Sequence, residues 1–176
     1  KSSSTKTVFR TSQAFYAKYG ISCDMKNLTI LQAQEGFTRL LVIPQGLTPM
    51  RVYEELEKLM PCLKYFDNLD NVTSDRNPTE TYAIWIRPRV EADEEHASKS
   101  AEDLKADGIS GITLLEELVY VLKYFDETGG HLDVVNITLC SGSRYPGGGV
   151  PGVGWRDDGG LCVGVGTFCR APFRAC

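Results

Sequence analysis

The chain has 176 residues, a formal net charge of -4, 42% hydrophobic and 24% charged residues. That length suits one domain with a single core, and the mix is that of a globular protein. The acidic balance excludes a nucleic-acid partner that needs a basic face, and no stretch approaches the roughly 20 apolar residues of a membrane span.

Residues 1–7 (KSSSTKT) are polar and lack the apolar centre of a signal peptide. The location stays open between the cytoplasm, a virion and a surface reached through an unseen leader. Residues 11–20 (TSQAFYAKYG) predict a short helix capped by Thr11 or Ser12 and ended by Gly20. Residues 37–43 (FTRLLVI) predict a strand that stops at Pro44. Thr48-Pro49 then opens a second helix, a cap followed by proline at the first helical position. Its apolar face is Val52, Leu56, Leu59 and Met60, and Pro61 ends it.

Residues 81–87 (TYAIWIR) form a β-branched and aromatic strand signal. Glu91, Asp93, Glu94 and Glu95 follow as an acidic run, expected on a solvated face. Residues 100–107 predict a short polar helix ending at Gly108. Thr113 and Glu116 have capping-box spacing and open the best helix, about residues 112–128, closed by Gly129-Gly130. Leu114, Leu115, Leu118, Val119, Leu122 and Phe125 recur there at core spacing. Residues 134–140 (VVNITLC) predict another strand. Of the six cysteines, Cys23, Cys62 and Cys140 sit in apolar contexts and read as buried thiols.

The last thirty-five residues follow other rules. Residues 142–176 hold ten of the seventeen glycines and three of the six cysteines, with no Lys and no Glu. Two apolar segments, 150–155 and 161–165, are joined by Asp157-Asp158-Gly159-Gly160 as a hairpin turn. Strand side chains alternate faces, so Val153, Trp155, Leu161, Val163 and Val165 point one way. Gly152, Gly154, Arg156, Cys162, Gly164 and Gly166 point the other. The first set holds the hairpin on the core. The second is expected to be exposed and has no stability logic, because glycine weakens strands and an exposed thiol is a liability. Elements of both kinds ending in antiparallel strands indicate an α+β domain.

Motifs for chemistry are missing. Gly147-Gly148-Gly149 leads into Val150-Pro151 rather than a helix, unlike a phosphate-binding loop. His96 sits in the acidic segment and reads as solvated. His131 sits at a helix end, where a cation complements the dipole. Ser141-Gly142-Ser143 is not a nucleophile elbow. Cys162, Cys169 and Cys176 recur every seven residues, which fits no common zinc spacing. No metal, cofactor or catalytic residue is assigned.

Several segments carry a family likeness: 81–95 (TYAIWIRPRVEADEE), 111–118 (GITLLEEL), 124–133 (YFDETGGHLD) and 137–145 (ITLCSGSRY), with 9–13 and 60–63 fitting more loosely. They resemble the variable proteins of diversity-generating retroelements. That resemblance implies a C-type lectin-like fold: helices packed on a small antiparallel sheet, with a C-terminal hairpin and loop as ligand-binding face. In that family a reverse transcriptase copies a template repeat into a variable repeat and substitutes at adenines.

It implies a scaffold over 1–145 and a variable region over 146–176. Trp155, Leu161 and Val163 would support the site. Gly147, Gly149, Gly152, Gly154, Arg156, Cys162, Gly164 and Gly166 would be variable contact positions. Phe168, Cys169, Arg170, Phe173 and Arg174 would be further ones. The calcium-dependent sugar motifs are not matched; Trp155-Arg156-Asp157-Asp158 only half resembles one of them. The expected function is non-enzymatic binding of a macromolecular ligand, a protein, since a sheet-and-loop face suits interface-sized contacts. This face is glycine-rich and lacks the Tyr and Trp anchors of hot spots among its variable positions. The alternatives are a zinc or redox module on the C-terminal cysteines, an enzyme without a recognisable motif, and an interaction domain with a flexible tail. Oligomeric state is left open.

Overall fold

The computed structural model describes residues 3–97, 99–166 and 174. Four α-helices and three small sheets form an α+β arrangement among them. Helix α1 (Ser3–Ala17) begins well before Thr11. Thr11 is therefore no cap; its hydroxyl donates to the carbonyls of Thr7 and Val8 inside the helix. Strand β1 (Arg39–Ile43) follows, then α2 (Pro49–Leu59), whose Thr48 cap accepts from the Arg51 amide as expected. Leu59 departs from its expected apolar face and is exposed.

Strands β2 (Cys62–Lys64), β3 (Thr73–Ser74) and β4 (Tyr82–Ile86) lead to α3 (Ala101–Ala106). Ser100 and Asp103 close a capping box on α3. Helix α4 (Leu114–Thr128) has its Thr113–Glu116 capping box and ends on Gly129 in the left-handed conformation. Nine consecutive residues of α4, from Leu114 to Leu122, are buried. It is the central element, packed on α2, on β1 and on β7 (Pro151–Arg156). Glu116 is fully buried yet satisfied: Arg76 donates to both its oxygens at 2.7 Å, Tyr82 Oη at 2.9 Å and the Thr113 amide at 2.7 Å.

The main sheet has the order β2-β8-β7-β5, with β5 at Ile137–Leu139 and β8 at Gly160–Val165. Its β5–β7 and β7–β8 pairings are antiparallel, whereas β2 joins β8 in parallel, so the sheet is mixed rather than antiparallel. Strands β1 and β4 pair apart from it, as do β3 and β6 (Ser143–Arg144). Three residues turn the β7–β8 hairpin, with Gly159 at φ 84°. One buried cluster runs from Phe15 to Val163 and unites α1, α2, α4 and the main sheet.

Two sequence expectations change here. The 134–140 strand shrinks to β5, because the amides of Val134, Val135 and Asn136 all donate to the Glu91 carboxylate instead of a ladder. The acidic run is a solvated face only in part: Glu94 and Glu95 are exposed, whereas Asp93 is fully buried and takes ion pairs from Arg87 and Arg89.

Candidate functional site

The β7–β8 register decides what lies on each side of the hairpin. Val153 pairs with Val163 and Trp155 with Leu161; Gly152 pairs with Gly164 and Gly154 with Cys162. The first set faces the core, where Val153, Leu161 and Val163 are buried. The second set floors a groove of about 750 Å³. Six expected positions meet there: Gly152, Gly154, Arg156, Cys162, Gly164 and Gly166. Gly147 and Gly149 stay outside the lining. Gly147 belongs to a turn closed by a Gly148 N–H to Tyr145 O bond.

The groove walls come from elsewhere in the chain. Tyr65 and Phe66 follow β2 on one side, where the Tyr65 amide donates to Val163 O at 3.0 Å. Val134, Val135 and Ile137 form the other. Tyr65 is 69% exposed and Val135 84%. The valines are held in place through Glu91, whose carboxylate accepts hydrogen bonds from three successive backbone amides and so pins this apolar rim. No local pattern in the sequence marks these walls. The parallel β2–β8 pairing joins residues a hundred positions apart, and Val134-Val135 read as ladder residues.

Two floor positions differ from expectation. Gly152 and Gly154 are buried, not exposed, because Ile137 of β5 closes over them. A Cβ at Gly154 would lie 2.9 Å from Ile137 Cγ1 and 3.1 Å from the Asn136 carbonyl. At Gly166 it would lie 2.0 Å from Leu139 Cδ2. At Gly164 it would meet only the exposed Tyr65 ring, at 2.9 Å. The floor is thus glycine in part for close packing.

Trp155 lines the groove and stacks on His131, ring centroids 3.5 Å apart; the Phe125 ring also stacks with the imidazole, at 5.6 Å. Burial lowers the His131 pKa, which favours the neutral ring over the cation expected at the end of α4. His96 is buried, not solvated. Burial is the main cause that raises the Cys162 thiol; Arg156 opposes it and Asp158 adds to it. A thiol held protonated is a weak nucleophile. Cys140 is buried as expected, whereas Cys23 and Cys62 are only half-buried. Among the described residues no three His, Cys, Asp or Glu side chains converge as a metal site.

Arg174 corrects the sequence reading most. Expected as a contact residue, it is 0% exposed. Its Nε lies 3.1 Å from Glu117 Oε2, Nη2 donates to Asp133 Oδ1 at 3.1 Å, and Nη1 donates to Arg89 O at 2.9 Å. The Tyr120 ring lies 5.1 Å from its guanidinium carbon, and its carbonyl accepts from the Ile112 amide. Glu117 and Asp133 are also fully buried. Burial and the Glu117 charge push the Asp133 carboxyl up to about 9. A carboxyl that favours its neutral form lowers the cost of enclosing two acids with one arginine. Asp133 adopts φ 52°, and its backbone bridges Val90 O and the Trp155 amide. Phe168, Cys169, Arg170 and Phe173 lie outside the described residues.

Comparisons with models of protein families, with curated proteins and with solved structures find no match to this chain.

Proposed function

We propose that this chain is a non-enzymatic ligand-binding protein of the retroelement-diversified kind, with a C-type lectin-like fold, that takes a protein ligand on the outer face of the β7–β8 hairpin. The observation that carries the reading is the groove itself. It gathers Gly152, Gly154, Arg156, Cys162, Gly164 and Gly166 into one lining on a hairpin whose inner face is locked into the core. A rigid backbone beneath replaceable side chains lets affinity change without refolding, because preorganisation keeps the ordering cost of binding low. The lining is mainly apolar, with Arg156 and Asp157 at its margin, and a concave apolar face with few polar groups is what a side chain of a protein partner requires.

Arg174 leaves the set of contact residues, since it is enclosed. The wall residues Tyr65, Phe66, Val134 and Val135 join it. No helix among the described residues is long and apolar enough to cross a membrane.

Sequencing the 3′ end of this gene across its source population tests the reading. Variation is expected at the codons for 152, 154, 156, 162, 164 and 166, only where a nearby template repeat carries adenines, with 153, 161, 163 and 174 constant. Uniform codons without a template repeat would overturn it.

A further inference from the structure

A second cavity, of about 250 Å³, lies where β3 and β6 meet α3. Its lining includes Ser74, Asp75, Lys105, Ser141, Ser143 and Arg144. None of these belongs to the hairpin groove, so the cavity is separate from the proposed ligand face. At roughly 30 Å³ per water, the space exceeds that of a few solvent molecules.

The donors outnumber the acceptors. Arg144 is held by one nitrogen: Nη1 donates to Ser141 O at 2.7 Å and to Ser143 O at 2.8 Å. That grip fixes the guanidinium plane, leaves Nε without a hydrogen bond among the described residues, and leaves Nη2 only a long ion pair. The nearest carboxylate to Nη2 is the well-exposed Glu102, at 3.7 Å. Lys105 makes no ion pair among the described residues. Ser141 Oγ is buried and has no hydrogen-bond partner among them either.

The two other serines leave a further proton. Ser74 Oγ and Ser143 Oγ lie 2.7 Å apart, and Ser143 Oγ also accepts from the Leu114 amide at 2.9 Å. Two hydroxyls share one mutual bond. Whichever of them donates, the other keeps one O–H for a ligand. Against these donors the lining offers a single carboxylate, Asp75.

We infer that this cavity is a binding site for a small phosphate-type oxyanion, held by Arg144, Lys105 and the hydroxyls of Ser141 and the Ser74–Ser143 pair. A fixed guanidinium with donors arriving from several elements suits a tetrahedral anion better than a planar one. The volume leaves room for a small organic group on the phosphate, and Asp75 can accept from a hydroxyl on that group.

The test is calorimetric titration of the full chain with inorganic phosphate at pH 7 in low salt, with acetate as the comparison anion. Saturable one-to-one binding of phosphate, weaker for acetate, is the expected result. Lys105→Gln should weaken it by about tenfold, the effect of one charge-assisted hydrogen bond. Ser141→Ala should weaken it several-fold. Lys105 is exposed and Ser141→Ala removes a single oxygen, and circular dichroism verifies that each variant is folded. The exposed Lys26→Gln should bind as the parent does. Absence of saturable heat, equal affinity for acetate, or unchanged affinity in Lys105→Gln and Ser141→Ala would each overturn the site.

Discussion

The two sides of the β7–β8 hairpin obey different rules on the same backbone. The inner side is Val153, Leu161 and Val163, branched and buried. The outer side is Gly152, Gly154, Cys162 and Gly164, small and lining a groove. Strand alternation alone separates them, so one ladder of hydrogen bonds serves a core and a surface at once. A region built this way can change its surface while the inner residues hold the register. Glycine on the outer side is not uniformly free, however: Ile137 and Leu139 press on Gly154 and Gly166, whereas Gly164 meets only a mobile-ended tyrosine side chain.

The contrast breaks most severely at Arg174, which belongs by sequence to the presented region and by structure to the interior. Arg174→Ala removes the cation from between Glu117 and Asp133, both fully buried. Leaving a buried acid unpaired should cost about 3–5 kcal/mol, read as a large fall in the urea midpoint. A loss under about 1 kcal/mol would mean that this arginine is not an anchor.

Next in size is a pair of neighbours. Leu161→Ala removes a buried side chain and should cost about 2–5 kcal/mol. Cys162→Ser, one residue along and facing the groove, should stay within about 0.5 kcal/mol. Equal effects at the two positions, measured by denaturant unfolding, would dissolve the distinction between the faces.

Much of this contrast was legible in the sequence. The hairpin, its turn and the alternation of its residues follow from period-two patterning, and the capping box at Thr113 and the start at Thr48-Pro49 follow from local chemistry. Long-range facts were not legible. The parallel docking of β2 supplies Tyr65 and Phe66 to the groove, and no local pattern reports a partner a hundred residues away. Arg174 looked like any arginine in a tail, because its two acids lie in α4 and in the segment after it. Asp133 sat beside an apparent strand, although its φ of 52° and its buried carboxyl set it apart.

Asp133 also gives a pH dependence with a definite sign. In the unfolded chain its carboxyl titrates near about 3.9. In the fold it is pushed up to about 9 by burial and by Glu117. Folding therefore takes up a proton between these values. The stability this group contributes is complete below about pH 4, declines as pH rises and is lost above about 9, with a slope of up to about 1.4 kcal/mol per pH unit. Asp133→Asn keeps a side chain that tolerates positive φ and cannot ionise. Unfolding midpoints between pH 6 and 9 should fall less steeply in this variant than in the parent; parallel curves would place the proton elsewhere.

The smallest effects concern the floor of the groove and sharpen the comparison within one face. Gly154→Ala sets a methyl 2.9 Å from Ile137 Cγ1 and 3.1 Å from a backbone carbonyl that cannot swing away. Overpacking of this kind costs about 1–3 kcal/mol. Gly164→Ala sets its methyl 2.9 Å from Tyr65 Cδ2, part of a ring that is 69% exposed and can rotate outward, so its cost should stay within about 0.5 kcal/mol. Thermal unfolding of the two variants side by side measures the difference. If Gly164→Ala proves the more damaging, the groove floor is fixed by packing along its whole length, and the room for varied side chains must lie at Arg156 and Cys162 instead.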